Sequence, residues 1–133
     1  MEDTGKRFNP AQLSAFCVAV LEKAEVPKEH AQMVADNLLS SNLRGVDTHG
    51  VTRLPIYVER VRQGLINGKA AGAIISESET TAAFDGQNGL GQVVGTYGMR
   101  KALEKAESMG VGMVTVNNSN HYGTAAFYAM MAL

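Results

Sequence analysis

The chain contains one thiol, Cys17, which excludes a disulfide framework and a thiolate metal cluster. Neither sign of charge is in excess. Twelve Lys and Arg stand against 13 Asp and Glu, a net charge of −1, so the basic face of a nucleic-acid binder is missing. The longest apolar run, Ala125 to Leu133, falls far short of the roughly 18 residues of a membrane span. The opening MEDTGKRFNP is polar and carries no apolar secretory core. What remains is a chain of 133 residues, 45% hydrophobic and 19% charged. That composition excludes a disordered, charge-extended polymer. It suits a globular protein of about one domain, with a cytoplasmic location expected.

Asn9-Pro10 predicts a helix start, with Asn as N-cap and Pro at the first helical position. Leu13, Phe16, Cys17, Val20, Leu21 and Ala24 follow as its apolar stripe. Cys17 lies on that stripe and reads as a small buried hydrophobe. Val26-Pro27 opens a second helix with the stripe Ala31, Val34, Ala35, Leu38 and Leu39, closed at Arg44-Gly45. The two form a helical hairpin with a connection of about two residues. After the connector VDTHGVTR, Leu54-Pro55 starts a third helix that ends near Gly64, with Leu54, Val58, Val61 and Leu65 as its buried line. The texture changes after Gly68. AIISESE and TTAAFDG suit strands, and Asp85-Gly86 marks a turn. A helix over about 91–109 precedes VGMVTVN, which has the continuous apolar character of a buried parallel strand. The polar loop NNSNHYG leads into a last helix from Gly123. The expected class is mixed α/β: a helical lobe over 1–68, then the beginning of an α/β lobe over 69–133. Gly91, Gly95, Gly98 and Ala102 leave the fourth helix a stripe without bulk, which predicts close approach of a neighbouring element.

Three places could carry chemistry. Gly89-x-Gly91 with Gly95 invites a dinucleotide fingerprint, but the third Gly is one residue late. The acidic partner is also misplaced, since Glu104 and Glu107 sit on the helix. Turn glycines and tight packing are the better reading. In DTHGVTRLPIY, His49, Arg53 and Tyr57 are spaced by four. Arg can grip a carboxylate with two parallel hydrogen bonds, and His exchanges a proton near neutral pH. An ordinary solvated face is the competing reading. The loop at 117–123 follows a strand and precedes a helix, where open α/β sheets bind ligands. It places His121 between Asn120 and Gly123, as ligand group or simple capping residue. His30, beside Glu29, reads as exposed surface. The spacing of His30, His49 and His121 matches no zinc pattern, so no metal site is expected.

The blocks LRGVDTHGVTRLPIYVERVRQGLI, DGQNGLGQ and NSNHYGTAAFYA resemble, in order, the type-2 malate/L-lactate dehydrogenase family. That family also holds ureidoglycolate and L-sulfolactate dehydrogenases and piperideine-2-carboxylate reductases. The resemblance implies a non-Rossmann fold and hydride transfer between NAD or NADP and a small 2-hydroxy acid, 2-keto acid or cyclic imino acid. It implies His121 or His49 as the acid/base, with Thr48 where the family usually has Ser. Arg53 would bind the substrate carboxylate, and Tyr57 and His49 would line the pocket. His121, Tyr122, Gly123, Thr124 and Ala125 would touch the cofactor. A homodimer is implied. So is a chain that corresponds to the N-terminal part of such an enzyme and is expected to be inactive alone. A non-catalytic helical dimerisation module is the alternative from a different class. If the chain is cut inside AAFYAMMAL, Phe127, Met130 and Met131 are expected to form an exposed apolar patch.

Overall fold

A computed structural model of the chain describes residues 7–133. Helix α1 spans Pro10–Lys23, and the Asn9 side chain accepts from the Ala11 and Gln12 amides at 2.9 and 3.2 Å. Helix α2 spans Lys28–Leu43 and ends on Gly45 in the left-handed region, φ +74°. The connection runs over residues 24–27, longer than the two residues expected, and turns on Glu25 at φ 62°. Residues 46–53 form two tight 3₁₀ turns, Asp47–His49 and Val51–Arg53, that lead into α3, Leu54–Arg62.

Cys17, Leu21, Val34 and Leu38 are fully buried and pack with Leu54, Tyr57 and Val58. Leu90 and Val93 from the second half join the same core. Two expected core positions fall outside it. Phe16 is exposed while Val18 is buried. The two flank Cys17 on opposite sides of the helix, and the core lies on the Val18 side. Leu65 is exposed and Ile66 buried, because α3 stops at Arg62 and Gly64, at φ +70°, breaks the helical period. His30 is also a correction. It is buried, its ring packs edge-on to Tyr97, and its Nδ1 lies 3.3 Å from the Gly68 carbonyl oxygen.

Strands β1 (Ala73–Glu77), β2 (Thr81–Gly89) and β3 (Met113–Ser119) form one mixed sheet with β2 in the middle. The β1–β2 pair is antiparallel, and β2–β3 is parallel. The crossover between β2 and β3 is α4, Gly91–Met109, which packs on both strands and ends on Gly110 at φ +82°. Asp85-Gly86 does not turn the chain. β2 continues to Gly89 with an irregular register, and Gln87 and Asn88 take positive φ. The turn chemistry is nonetheless present: Asp85 Oδ1 accepts from the Gln87 amide at 2.9 Å. β3 is parallel as expected but mostly exposed rather than buried. It is an edge strand among the described residues, where α4 is the helix packed on it.

The last helix, α5, is short, Ala125–Ala129, and is followed by a 3₁₀ turn over Met130–Ala132. Met130 is exposed, whereas Phe127 and Met131 are half-buried, so the expected patch is only partly open. No helix among the described residues is long and apolar enough to cross a membrane.

Candidate functional site

The bulk-free stripe of α4 is what positions the loop after β3. A Cβ on Gly91 would stand 2.3 Å from the Asn120 carbonyl oxygen and 2.5 Å from that of His121. One on Gly95 would meet the Tyr128 ring at 2.8 Å, and one on Gly98 would meet Val116 Cγ2 at 3.1 Å. The stripe therefore carries β3, its loop and α5 directly on the helix. It also gives the glycines of the fingerprint a packing role. Gly89, Gly91 and Gly95 are packed on protein atoms, including Gly86 O and Val94 Cγ2 at Gly89, as the tight-packing reading expects.

The loop is tied from several sides. Asn120 Nδ2 donates to the Gly89 and Asn88 carbonyls at 2.9 and 3.2 Å and contacts Asn88 Oδ1 at 3.0 Å. Gly123 takes φ +85°, and a Cβ there would lie 1.9 Å from Asn37 Oδ1. Asn37, buried in the middle of α2, donates from Nδ2 to the Tyr122 carbonyl at 3.3 Å and to the Tyr128 hydroxyl at 3.4 Å. Ser41 Oγ lies 3.4 Å from Thr124 Oγ1.

This brings His121 against the α3 entrance. Its Nδ1 is 2.7 Å from the hydroxyl of Tyr57, a buried side chain. The His121 and His49 rings stack with centroids 5.4 Å apart and planes 28° apart. Thr48 Oγ1 is 3.0 Å from His49 Nδ1, and Arg53 Nε donates to the Thr48 carbonyl at 2.7 Å. The bond made by Nε leaves the two outer guanidinium nitrogens for another ligand. Asn42 holds the turns that carry these groups. Its Nδ2 donates to Asp47 Oδ1 at 2.6 Å, and its Oδ1 accepts from the Val51 amide at 2.8 Å.

The electrostatics follow from this packing. Partial burial, then the charges of His49, Arg53 and Arg60, hold the His121 pKa below the ordinary histidine value. Burial pushes the Tyr57 hydroxyl up, against the opposing effects of Gln92, Arg53 and Arg60. His121 is thus biased neutral and Tyr57 keeps its proton, beside two fixed guanidinium charges. Such an arrangement can hold an anion and exchange one proton with it. A hollow of about 520 Å³ lies elsewhere, lined by Ala24, Val61 and Gly68 among others.

Thr48, His49, Arg53 and Tyr57 from one segment meet His121 from the other, whereas Tyr122 packs on Tyr128 and Thr124 faces Ser41 of α2. Tyr122 is half-exposed. His30 does not join them. Among the described residues no cluster of His, Cys, Asp and Glu could hold a metal ion. The sequence reading missed Asn37, Asn42, Arg60 and Gln92. Asn37 carried a usable signal: a polar residue three positions from Val34 and one from Leu38, on the apolar face of its helix.

The family model for malate/L-lactate dehydrogenase matches residues 8–133. The chain is 49% identical to a malate dehydrogenase of Pyrococcus abyssi over 95% of its own length and 35% of that protein's. It is 40% identical to an L-sulfolactate dehydrogenase of Methanocaldococcus jannaschii, over 95% of this chain and 37% of that one. The solved malate dehydrogenase of Pyrococcus horikoshii OT3 superposes with a TM-score of 0.93 at 46% identity, covering 96% of this chain and 36% of that one. The chain thus spans about a third of the length of the relatives it matches.

Proposed function

We propose, from the premise that this chain belongs to the malate/L-lactate dehydrogenase family, that it forms the substrate-binding and proton-transfer part of an NAD(P)-dependent 2-hydroxy-acid dehydrogenase. The observation that carries this reading is the juxtaposition of the His121–Tyr57 pair, the stacked His49 and the Arg53 guanidinium. Arg53 anchors the substrate carboxylate through its outer nitrogens, with a bidentate geometry that Lys could not reproduce. His121 takes the hydroxyl proton when the substrate is oxidised and returns it when the ketone is reduced. The Nδ1 edge of the ring is held by the Tyr57 hydroxyl at 2.7 Å and the Gly123 amide at 3.4 Å, which leaves the Nε2 edge for that exchange. His49, bonded to Thr48 and stacked on His121, sets the opposite wall.

The nicotinamide cofactor, when bound, supplies the hydride acceptor or donor. Tyr122, Gly123, Thr124 and Ala125 would border its ring beside His121. Malate and related acidic 2-hydroxy acids are the favoured substrates, since Arg60 adds a second cation near the site and the similar proteins are named malate and sulfolactate dehydrogenases. The test is NADH and NADPH oxidation by the gene product that carries this chain, with oxaloacetate, pyruvate and a cyclic imino acid. Turnover with oxaloacetate above the others is expected. No turnover on any of them would overturn the proposal.

A further inference from the structure

The carbonyl oxygen of Tyr122 is gripped twice. Asn37 Nδ2 donates to it at 3.3 Å, and the Tyr128 hydroxyl donates to it as well. Asn37 Nδ2 also reaches the Tyr128 hydroxyl at 3.4 Å, which ties the two donors to each other. Two donors occupy both lone pairs of a carbonyl oxygen. The Tyr122–Gly123 peptide bond is trans, and a planar trans peptide points its N–H away from its C=O. With the oxygen pinned on the α2 side, the Gly123 N–H is aimed the other way, at His121 Nδ1, 3.4 Å distant. Asn37 is fully buried, and its Oδ1 has no hydrogen-bond partner. That oxygen fills the place a Cβ would take on Gly123, which stands at φ +85°. Half of a buried amide is thus left unpaired, an arrangement that costs free energy. Its other half, Nδ2 on the Tyr122 carbonyl, is what the residue contributes.

We propose that Asn37 is a positioning residue that, with Tyr128, clamps the Tyr122–Gly123 peptide so that its N–H opposes protonation of His121 at Nδ1. An N–H aimed at that nitrogen is satisfied by a lone pair there and repelled by a proton. When the ring charges, the Gly123 N–H loses its acceptor while Asn37 and Tyr128 hold the peptide in place. The Tyr57 hydroxyl does not act this way, because it can turn from donor to acceptor as the ring charges. The clamp is therefore the part of the Nδ1 surroundings that does not adapt. The other titratable or charged groups that face His121 are His49 and Arg53 from the 3₁₀ turns and Tyr57 and Arg60 from α3, all kept in the variants below. The proposal rests on the reading of His121 as the proton-exchanging group, but its test does not require turnover.

The experiment is NMR of the gene product that carries this chain, labelled with ¹⁵N in histidine and glycine and followed through a pH titration. In the unaltered protein the Gly123 amide is expected to shift in step with the His121 ring. Tyr128→Phe keeps the aromatic ring, and Asn37→Leu keeps the side-chain shape. Each should raise the proton affinity of His121 roughly two- to tenfold, the span of one net hydrogen bond. Ser41→Ala cuts the neighbouring tie to Thr124 and should leave the titration where it was. A Gly123 amide that stays flat through the titration, an unchanged titration in folded Tyr128→Phe, or an equal shift in Ser41→Ala would overturn the proposal. The amide readout needs no variant, so misfolding of Asn37→Leu cannot hide the answer. Should the gene product with His121→Gln still turn over, the functional reading fails while the clamp stands.

Discussion

Replacing the glycines of α4 one at a time by alanine separates packing from helix propensity. In a helix interior Gly→Ala stabilises by about 0.5–1 kcal/mol. At Gly98 the added Cβ meets Val116 Cγ2 at 3.1 Å and Val114 Cγ1 at 3.7 Å. Both are side-chain methyls that can give by a few tenths of an ångström, so Gly98→Ala is expected to be neutral or stabilising by up to about 1 kcal/mol. At Gly91 the added Cβ meets two backbone oxygens at 2.3 and 2.5 Å. The peptide of Asn120–His121 would have to retreat, against the three contacts of the Asn120 amide. Forced overpacking of this kind costs about 1–3 kcal/mol, and Gly91 is the first residue of the helix, where alanine's propensity advantage is small. Gly95→Ala falls between them, since its obstacle is the Tyr128 ring, bonded to Asn37 and to the Tyr122 carbonyl. The order of stability in urea unfolding followed by circular dichroism should be Gly98→Ala, then Gly95→Ala, then Gly91→Ala. The ends should differ by roughly 1–4 kcal/mol, the sum of the two effects. Gly91→Ala should also move His121 away from Tyr57 and change its titration. Equal stability of the Gly91 and Gly98 variants would refute the claim that the stripe carries the His121 loop.

Stability should depend on pH through His121. Its folded pKa is depressed, first by burial and then by His49, Arg53 and Arg60. As pH falls below the ordinary value of about 6.5, the unfolded chain takes up the proton first. Stability is then complete above that pH and declines below it until the folded pKa is reached; unfolding midpoints across pH 5–8 should show this slope, and His121→Gln should flatten it. Asn42→Ala removes two hydrogen bonds from the His49 turns and should cost about 1–3 kcal/mol, with hydrogen exchange accelerating over residues 47–53. Arg53→Lys keeps the charge but loses the bidentate fork, so KM for the 2-keto acid should rise about tenfold or more, with kcat less affected.

Helix boundaries were legible because their signals are local. Asn9-Pro10, Leu54-Pro55 and the glycines at 45 and 64 act within one turn of the chain. The grouping of His49, Arg53, Tyr57 and His121 was legible in kind, from residue chemistry and from the family resemblance, but not in geometry. A separation of 64 residues between Tyr57 and His121 says nothing about a 2.7 Å contact. What escaped depended on distant partners. His30 is buried because the chain returns at Gly68 to meet it. β3 reads as a core strand yet lies at an edge among the described residues, where α4 is the helix packed on it. The Asp85-Gly86 turn signal was spent on a strand irregularity rather than a reversal. Gln92 had no signal at all, since an amide on a helix is ordinary until the structure shows that it is buried and unpartnered.

The most direct measurement is steady-state turnover of the gene product with His121 replaced by Gln, in both directions. Loss of a positioned acid/base should lower kcat by about 100-fold or more, while NADH binding, followed by nucleotide fluorescence, persists. Turnover within a fewfold of the unaltered protein would contradict the assignment of proton exchange to the His121–Tyr57 pair.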